Sequence, residues 1–551
     1  MNPTNANLKK LPLGIQTFED IRTGGYLYVD KTKYLVDLID RGKVYFLSRP
    51  RRFGKSLTVS TFEALFAGRK DLFKGLYAEA FCERPDYRAH PIIHMDMSRV
   101  ATNNGVDFLS TSILSQVKSI AGILDVPLPA TDSPGDAFSA LLALTADRHG
   151  SRVVVLVDEY DKPILDKIND REEAAAYRDV LRDLYTRIKS ADASVHFVFV
   201  TGISKFVKTG IFSAMNNLTD ISMSSRYAEM LGYTQAELTQ NFAEHIGAAA
   251  KKMSLPADKI LDEMKGYYDG YSFDGGRNVY NPYSIMCFLD SEDAIFDNYW
   301  FDTGSTSFIA EYLKGRRITV EEFRGVEVSR NFTSFQEIEA AEAESFLYQA
   351  GYLTLRPGSY LDFALDYPNR EVLSSMSMQL TNNMFASTSD AQSSYGGLLR
   401  SFKRENVDGV IAEFNRLFAV IPYDDYAMSA KKAVEAHGFE GEITPREWLY
   451  RSTLLSYLYG AGLDVEAETH FSRGRPDLLI RCYDNVWIFE LKVARGAEAA
   501  KLAAVDALAQ IRERGYADSF ARAVLVGIAI DDDIRSIGDF KSSFKGEPCH
   551  V

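Results

Sequence analysis

The sequence predicts a multidomain α/β protein, as its length and the order of its apolar segments indicate. The chain has 551 residues, enough for three or four domains of roughly 100–200 residues each. Over residues 10–230, short apolar runs alternate with helical patterns, which is typical of parallel βαβ units with both sheet faces covered. A compact α/β pattern returns over residues 441–551, so we expect a second, smaller α/β domain there.

Composition and charge exclude several protein classes. Hydrophobic residues make up 46% of the chain and charged residues 25%, which excludes disordered and collagen-like proteins. The net charge of −14 argues against a generally basic coat for nucleic acid, although a basic groove can still form locally. The four cysteines are scattered and form no CxxC pair, so neither a zinc site nor a disulfide framework is expected.

Hydropathy predicts a soluble, cytoplasmic protein, and the scattered cysteines fit a reducing compartment. The stretch MNPTNANLKKLPLGIQTF has no apolar region of the kind found in secretory signals. The longest apolar runs, such as AVLVGIAI near residue 525, have only strand length, so no membrane segment is expected.

Individual elements can be predicted in chain order. The apolar runs predict strands at VYFL (44–47), PIIHMDM (91–97), RVVVLVD (152–158) and HFVFVTG (196–202). Residues 231–310 are richer in Tyr, Gly and Asn, and residues 311–440 are interpreted as a mixed α/β connecting region. In the last part, REWLYRSTLLSYLYG and AAKLAAVDALAQIRERG predict helices, and AVLVGIAI predicts a strand.

A strand, a loop and a helix start follow one another in FLSRPRRFGKSLT, the order that a phosphate-binding loop requires. Gly54 permits close approach of the backbone, Lys55 can reach the β- and γ-phosphates of ATP, and Ser56 can hold Mg²⁺. The helix start adds a partial positive charge. The alternative is a chance GKS sequence at a surface turn.

The part of the loop before Gly54 departs from the common GxxxxGK[ST] pattern of Walker A loops. Arg49 stands at the position of the first glycine, Pro50 stiffens the loop, and Arg51 and Arg52 add positive charge. The predicted nucleotide-binding segment is Arg49, Pro50, Arg51, Arg52, Phe53, Gly54, Lys55 and Ser56.

The apolar run RVVVLVDEYDKPI has the form of a Walker B strand. In that interpretation Asp158 holds Mg²⁺ through water and Glu159 polarises the attacking water. An ordinary buried strand that meets an acidic turn is the alternative. The strand HFVFVTGISK ends in Thr201, Ser204 and Lys205, any of which could sense the γ-phosphate. A plain strand-end turn explains each of these three equally well.

The segments around these motifs resemble the AAA-ATPase-like family of bacterial proteins, a branch of the P-loop ATPases. The resemblance rests on LPLGIQTFEDI, YLYVDKTKYL, SRPRRFGKSL, VVLVDEYDKPI and TGISKF. Arg49 is no departure from this family, whose loop resembles RPRRFGKS as a whole. The resemblance implies a P-loop core over 10–230, followed over 231–310 by a helical lid or winged-helix-like region, with ATP and Mg²⁺ as ligands.

A second chemical pattern lies in GRPDLLIRCYDNVWIFELK. Glu490 and Lys492 are two residues apart in a predicted strand and therefore share a face. If PDLLI and VWIFELK form a hairpin with a turn at 483–485, Asp477 can join them. Two carboxylates and the carbonyl of Leu491 would suit Mg²⁺ or Mn²⁺, and Lys492 could orient or deprotonate a water that attacks a phosphodiester. Glu447, on an upstream helix, is either a further metal ligand or an exposed carboxylate at a helix start.

This pattern resembles the PD-(D/E)xK nuclease superfamily, with Pro476, Asp477, Glu490 and Lys492 filling the motif. Gln510 and Tyr516 resemble the QxxxxxY motif of one of its branches, which implies that Gln510 bonds a phosphate or the catalytic water. Nucleic acid binding needs basic contacts, and Arg473, Arg475, Arg481 and Arg495 lie around the motif.

The two resemblances together predict an ATP-binding protein, an ATPase, coupled to a Mg²⁺- or Mn²⁺-dependent nuclease, with a role in defence or mobile-element conflict. The alternative is a nucleotide-dependent sensor or switch whose C-terminal domain binds nucleic acid without cleaving it. A motor that moves along DNA ranks last, because no second ATPase core or helicase-like motif series is visible. DNA and RNA both remain open as substrates, and a homo-oligomer is open as well.

Overall fold

The computed structural model describes residues 8–168, 170–205, 217–301, 319–333, 343–382, 385, 388–420, 444–467, 475–482 and 485–546. The chain divides into two compact units. The first comprises residues 1–300 with 325–370, and the second comprises 301–324 with 371–551. No helix in the described ranges is long and apolar enough to cross a membrane.

The first unit is built on a parallel sheet. The strands of this sheet are β1 (Val44–Ser48), β2 (Ile92–Asp96), β3 (Val153–Asp158), β4 (Val195–Gly202) and β5 (Thr219–Asp220). Their spatial order is β2-β3-β4-β1-β5, and every described pairing is parallel. All residues of β1 and β3 are buried, as expected for a parallel sheet with both faces covered. The four strands predicted from the apolar runs are confirmed.

Helices precede and connect these strands. They are α1 (Phe18–Thr23), α2 (Thr32–Arg41), α3 (Lys55–Phe66), α4 (Glu79–Cys82), α5 (Val106–Ile123), α6 (Pro134–His149), α7 (Lys162–Leu165) and α8 (Arg171–Ser190). Helix α3 packs on the sheet through Phe62, whose ring lies 4.9 Å from that of Phe199 in β4. The order of the strands places β4 between β1 and β3, so the carboxyl ends of these three strands meet at one edge.

The rest of the first unit is largely helical up to residue 290. It contains α9 (Gln235–Asn241), α10 (Ala243–Met253), α11 (Ala257–Tyr268) and α12 (Pro282–Asp290), with the antiparallel pair β6 (Tyr271–Ser272) and β7 (Asn278–Val279). Buried side chains of these helices form one core with Leu11, Leu27 and Val29. A small antiparallel sheet of order β8-β10-β9 follows, made by β8 (Glu327–Val328), β9 (Thr354–Pro357) and β10 (Phe363–Asp366), with α13 (Ala343–Ala350).

The second unit contains a mixed sheet with helices around it. Its elements are α14 (Arg370–Asn382), which starts at the boundary, α15 (Thr388–Lys403), α16 (Val407–Ala419), α17 (Pro445–Gly460), β11 (Asp464–Ala467), β12 (Leu478–Cys482), β13 (Asn485–Ala494), α18 (Ala497–Glu513), β14 (Ala523–Asp531) and β15 (Ser536–Phe544). The strand order is β11-β12-β13-β14-β15, and β13 and β14 are parallel because α18 crosses between them.

The fold class is confirmed in both units, and the predicted hairpin exists. Strands β12 and β13 are antiparallel, with Leu478 opposite Phe489. Asn485, which was expected in the turn at 483–485, is the first residue of β13 and pairs with Cys482. Residues 483 and 484 of that turn lie outside the described residues. The four-part division at 230, 310 and 440 stays a prediction.

Candidate functional site

The loop at 49–56 joins β1 to α3 at the carboxyl edge of the parallel sheet. Gly54 is the N-cap of α3 and has φ +91°, a left-handed conformation that glycine adopts without steric cost. Because the first amides of a helix have no partner inside the helix, those of Lys55 and Ser56 are available to an anion. The ammonium of Lys55 donates to the carbonyls of Arg49 (3.0 Å) and Pro50 (2.9 Å).

Lys55 faces the acidic end of β3. Burial lowers the pKa of Lys55, and the negative charges of Glu159, Asp158 and Asp161 oppose that shift. Burial raises the pKa of Glu159, which Lys55 opposes. Asp158 is buried and accepts from the Glu159 amide at 3.0 Å, while Glu159 has φ +51°. The predicted phosphate-binding lysine and both predicted acidic residues therefore lie together.

The guanidinium of Arg49 is held by backbone carbonyls and by an aromatic ring. Its guanidinium donates to the carbonyls of Ser48 (2.9 Å), Ser222 (2.6 Å) and Tyr227 (3.1 Å), and it lies 3.9 Å from the centre of the Phe273 ring. Burial lowers the pKa of Arg49 to about 10. In this arrangement Arg49 ties the loop to the segment that follows β5, and its predicted nucleotide contact stays a prediction.

Other members of the loop are also held from outside it. The ring of Phe53 packs edge-on against Tyr271, with ring centres 4.9 Å apart, and Arg52 lies over the ring of Tyr283. The indole of Trp300 donates to the carbonyl of Arg51 at 3.3 Å. Pro50 approaches Gly351 so closely that a Cβ there would lie 2.6 Å from the Pro50 Cβ. Downstream parts of the first unit thus shape the loop.

The residues at the end of β4 have protein partners. The Thr201 hydroxyl donates to the carbonyl of Leu47 at 2.9 Å, which joins β4 to β1. The buried Lys205 ammonium lies 3.5 Å from Asp220. These two side chains have intramolecular partners, so their role with the γ-phosphate stays a prediction.

Asp161 is a site residue that the sequence analysis missed. Its buried carboxylate accepts from the amide of Ile203 (3.1 Å) and from the amide (2.7 Å) and hydroxyl (2.6 Å) of Ser204. It therefore ties the turn after β4 to the turn after β3, beside Asp158. The signal that could have found it is a third acidic residue in VDEYD, three positions after Asp158.

The second site lies in the second unit, where β12 and β13 meet. Asp477 precedes β12, and its Oδ2 accepts from the amide of Leu491 at 2.7 Å. Glu490 and Lys492 share a face of β13, and α18 places Gln510 over them. The Gln510 amide donates to Glu490 Oε1 and its carbonyl accepts from the Lys492 ammonium at 3.1 Å. All four predicted residues are brought together.

The carboxylates of this centre interact with one another. Burial, and then the charge of Asp477, raises the pKa of Glu490 to about 8, with a smaller contribution from Glu447. Burial and Asp477 likewise raise the pKa of Glu447 to about 7, and Lys492 opposes this. Glu447 lies in the first turn of α17, three residues after the N-cap Thr444. Glu447 is therefore close enough for its charge to interact with those of Asp477 and Glu490.

These side chains fit a divalent cation. Glu490 Oε2 is buried and has no hydrogen-bond partner in the described part of the chain, so a carboxylate oxygen is available to an ion that prefers oxygen ligands. Within the described ranges, no three His, Cys, Asp or Glu side chains converge as a complete metal-binding group. An ion here would be held by Asp477 and Glu490, with main-chain oxygen or water completing its shell.

Arg451 and Tyr516 complete the surroundings of the centre. Arg451 Nη1, on α17, lies 3.6 Å from Asp477 Oδ1, and both side chains are almost fully buried. Its sequence signal is the spacing of four residues from Glu447, which puts both on one face of α17. Tyr516 is buried, and Glu490 and Gln510 both influence its pKa, which burial raises.

Two of the arginines predicted to form a basic groove have carboxylate partners within the second unit. Arg475 and Arg495 are exposed, and Arg495 pairs with Asp532. Arg481 pairs with Glu466 at 3.1 Å. Arg473 lies outside the described residues.

Comparisons with known proteins match both halves of the chain. Residues 12–212 match the family model described as "Predicted AAA-ATPase", and residues 445–540 match the model of the PD-(D/E)XK nuclease superfamily. An uncharacterised protein encoded in the vnfD 5′ region of Azotobacter chroococcum mcd 1 is 35% identical over 545 residues, 97% of this chain and 98% of that protein. This chain belongs to the AAA-ATPase-like family.

Both sites fall inside the family matches. The 49–56 loop, Asp158 and Thr201 lie within the AAA-ATPase match, and Asp477 to Gln510 lie within the nuclease superfamily match. Two solved structures are also similar: Cdc6p of Pyrobaculum aerophilum (10% identity, 80% of this chain and 86% of that chain, TM-score 0.24) and ORC2 of Aeropyrum pernix with ADPNP and ADP (11% identity, 66% and 92%, TM-score 0.22).

Proposed function

We propose that this protein binds and hydrolyses ATP in its first unit and cleaves nucleic acid with the help of Mg²⁺ or Mn²⁺ in its second unit. The observation that carries the proposal is the Asp477–Glu490–Lys492–Gln510 cluster with its unpartnered Glu490 oxygen. Such a cluster serves phosphodiester hydrolysis better than fold stability, because an unsatisfied buried carboxylate is costly.

The nucleotide half of the proposal rests on the juxtaposition of Lys55 with Asp158 and Glu159. Lys55 would exchange its two backbone carbonyl partners for the β- and γ-phosphates. Ser56 and Asp158 would hold Mg²⁺, and Glu159 would polarise the water that attacks the γ-phosphate. These are the Walker A and Walker B roles.

In the nuclease half, each residue has a distinct role. Asp477 and Glu490 would hold the metal ion, with the carbonyl of Leu491 and with Glu447 as further candidates. The bound ion would lower the pKa of a water and neutralise charge on the phosphate. Lys492 would orient that water. Gln510 bonds both Glu490 and Lys492 and would fix the positions of these two side chains relative to each other.

The deciding experiment is a cleavage assay on single- and double-stranded DNA and RNA with Mg²⁺ or Mn²⁺, with and without ATP. We expect cleavage that requires the metal and that Asp477→Ala and Glu490→Ala each abolish. The matched control is Glu513→Ala, an exposed carboxylate on α18, which should cleave like the wild type. If Asp477→Ala and Glu490→Ala lose cleavage only because both proteins unfold, the cluster is structural.

Nucleic acid binding without any cleavage would favour the alternative, a nucleotide-dependent switch with a binding module. Coupling is tested in the same assay, because Lys55→Ala should change the ATP dependence of cleavage without touching the metal site. An unchanged rate would separate the two activities. A role in defence or mobile-element conflict predicts that these variants lose protection when phage are plated on expressing cells.

A further inference from the structure

Arg451 is a buried cation inside the carboxylate centre. Its side chain is 10% exposed, and its Nη1 lies 3.6 Å from Asp477 Oδ1. The other oxygen of Asp477 accepts from the Leu491 amide at 2.7 Å. Arg451 also lowers the pKa of Glu447, against the effect of burial and of Asp477. The charge of Arg451 therefore acts on Asp477 and Glu447, two of the three carboxylates of the centre; the third is Glu490.

The charge balance of the centre depends on this arginine. When ionised, Glu447, Asp477 and Glu490 carry three negative charges, and Arg451 and Lys492 carry two positive charges, which leaves one negative charge. A single divalent ion would change this to one positive charge, which matches one phosphodiester. A second divalent ion would leave three positive charges at a partly buried site, and concentrated like charge is costly at low dielectric.

We propose that Arg451 is a resident cation that takes the place of a second divalent ion beside Asp477, so that the centre holds one metal ion. This inference rests on the proposed function, because it assumes that Asp477 and Glu490 bind a metal. Arg451 is then a positioning residue that acts through Asp477. In two-metal sites the two ions together stabilise the attacking and leaving oxygens of the displacement. Arg451 would supply positive charge as a fixed part of the chain, which neither exchanges with solvent nor leaves with the product.

A purely structural role for Arg451 makes the opposite prediction for metal binding. If Arg451 only anchored Asp477, removal of the guanidinium would let that carboxylate move and would weaken the binding of the metal ion. If it replaces an ion, removal of its charge lets a second ion enter. The number of bound ions, rather than the cleavage rate, therefore separates the two roles.

The experiment measures Mn²⁺ binding to the nucleotide-free full-length protein, by calorimetry and by the electron paramagnetic resonance signal of free Mn²⁺. Glu490→Gln defines which bound equivalents belong to the centre. We expect one Glu490-dependent equivalent in the wild type and in Arg451→Lys, which keeps the charge, and two in Arg451→Met. Arg446→Met removes a charge from the same helix without touching Asp477 and should stay at one.

Each result of this experiment supports or overturns a specific part of the proposal. Two Glu490-dependent equivalents in the wild type, or one in a folded Arg451→Met variant, overturn the role of Arg451 and leave the metal centre intact. No Glu490-dependent equivalent in the wild type overturns the proposed nuclease centre itself. Circular dichroism reports whether Arg451→Met folds, and two Glu490-dependent equivalents in the wild type overturn the role of Arg451 even if it does not.

Discussion

Replacement of Glu490 by Gln should stabilise the metal-free protein at pH 8 while it abolishes the response to metal. The wild-type side chain is 6% exposed, and one of its oxygens has no hydrogen-bond partner in the described residues. Gln leaves a polar atom at this position but removes its charge, and a buried charged group without a partner costs about 1–3 kcal/mol or more. In a unit of about 200 residues, 1 kcal/mol shifts Tm by roughly 2–4 °C. The expected gain in Tm is therefore about 2–12 °C.

The size of this stabilisation depends on pH. Burial and Asp477 raise the pKa of Glu490 to about 8 in the folded protein, above its value of 4.5 in the unfolded chain. A group with a raised pKa contributes stability below its unfolded pKa and loses that contribution as pH rises through the folded value. The wild type should thus lose stability between about pH 4.5 and pH 8, and the variant should differ from it little at pH 5.

The assay is differential scanning calorimetry in EDTA and in Mn²⁺, at pH 5 and pH 8. Mn²⁺ should raise the transition of the wild type at pH 8 and leave that of Glu490→Gln unchanged, because ligand binding stabilises only a state that binds. Glu498→Gln, an exposed carboxylate on α18, is the control and should not shift. A variant less stable than the wild type at pH 8 in EDTA would refute the reasoning, as would equal stabilisation of both by Mn²⁺.

Three further predictions concern the two sites. Lys55→Ala should lose ATP binding in calorimetry, and unchanged affinity in a folded variant would remove the nucleotide assignment. Lys492→Ala should keep Mn²⁺ binding but lose at least about a hundredfold in cleavage rate; wild-type cleavage would show that this lysine does not position the water. Gly351→Ala should weaken ATP binding and lower Tm, because its Cβ would meet Pro50 at 2.6 Å. Gly325→Ala, also at positive φ but with no atom within 4 Å of its Cβ, is the control that isolates backbone strain, and equal effects of both would contradict a role for the Pro50 contact.

Much of the fold was predictable because strand and helix patterns are local. The runs of β-branched residues identified β3 and β4, whose side chains are buried on both faces. The two-residue period of a strand placed Glu490 and Lys492 on one face before any partner strand was known. The helix that carries Gln510 was likewise evident from its own apolar positions.

The missed features depend on contacts between distant residues. Asp161 meets Ser204 across 43 positions, and Arg49 meets Tyr227 across 178. Both side chains are ordinary loop residues in the sequence, and neither has a periodic pattern that indicates its partner. Buried polar groups need partners, but the sequence alone does not say which ones.

By itself, the sequence determined the types of the elements, the position of the loop before α3 and the common strand face of Glu490 and Lys492. Backbone geometry over a few neighbouring residues decides each of these features. The tertiary structure decided that β4 lies between β1 and β3, that Arg49 bonds the carbonyls of Ser222 and Tyr227, and that Arg451 lies beside Asp477. The reason is physical: packing of whole elements sets which side chains share a buried site, and their charges take effect only where water is excluded.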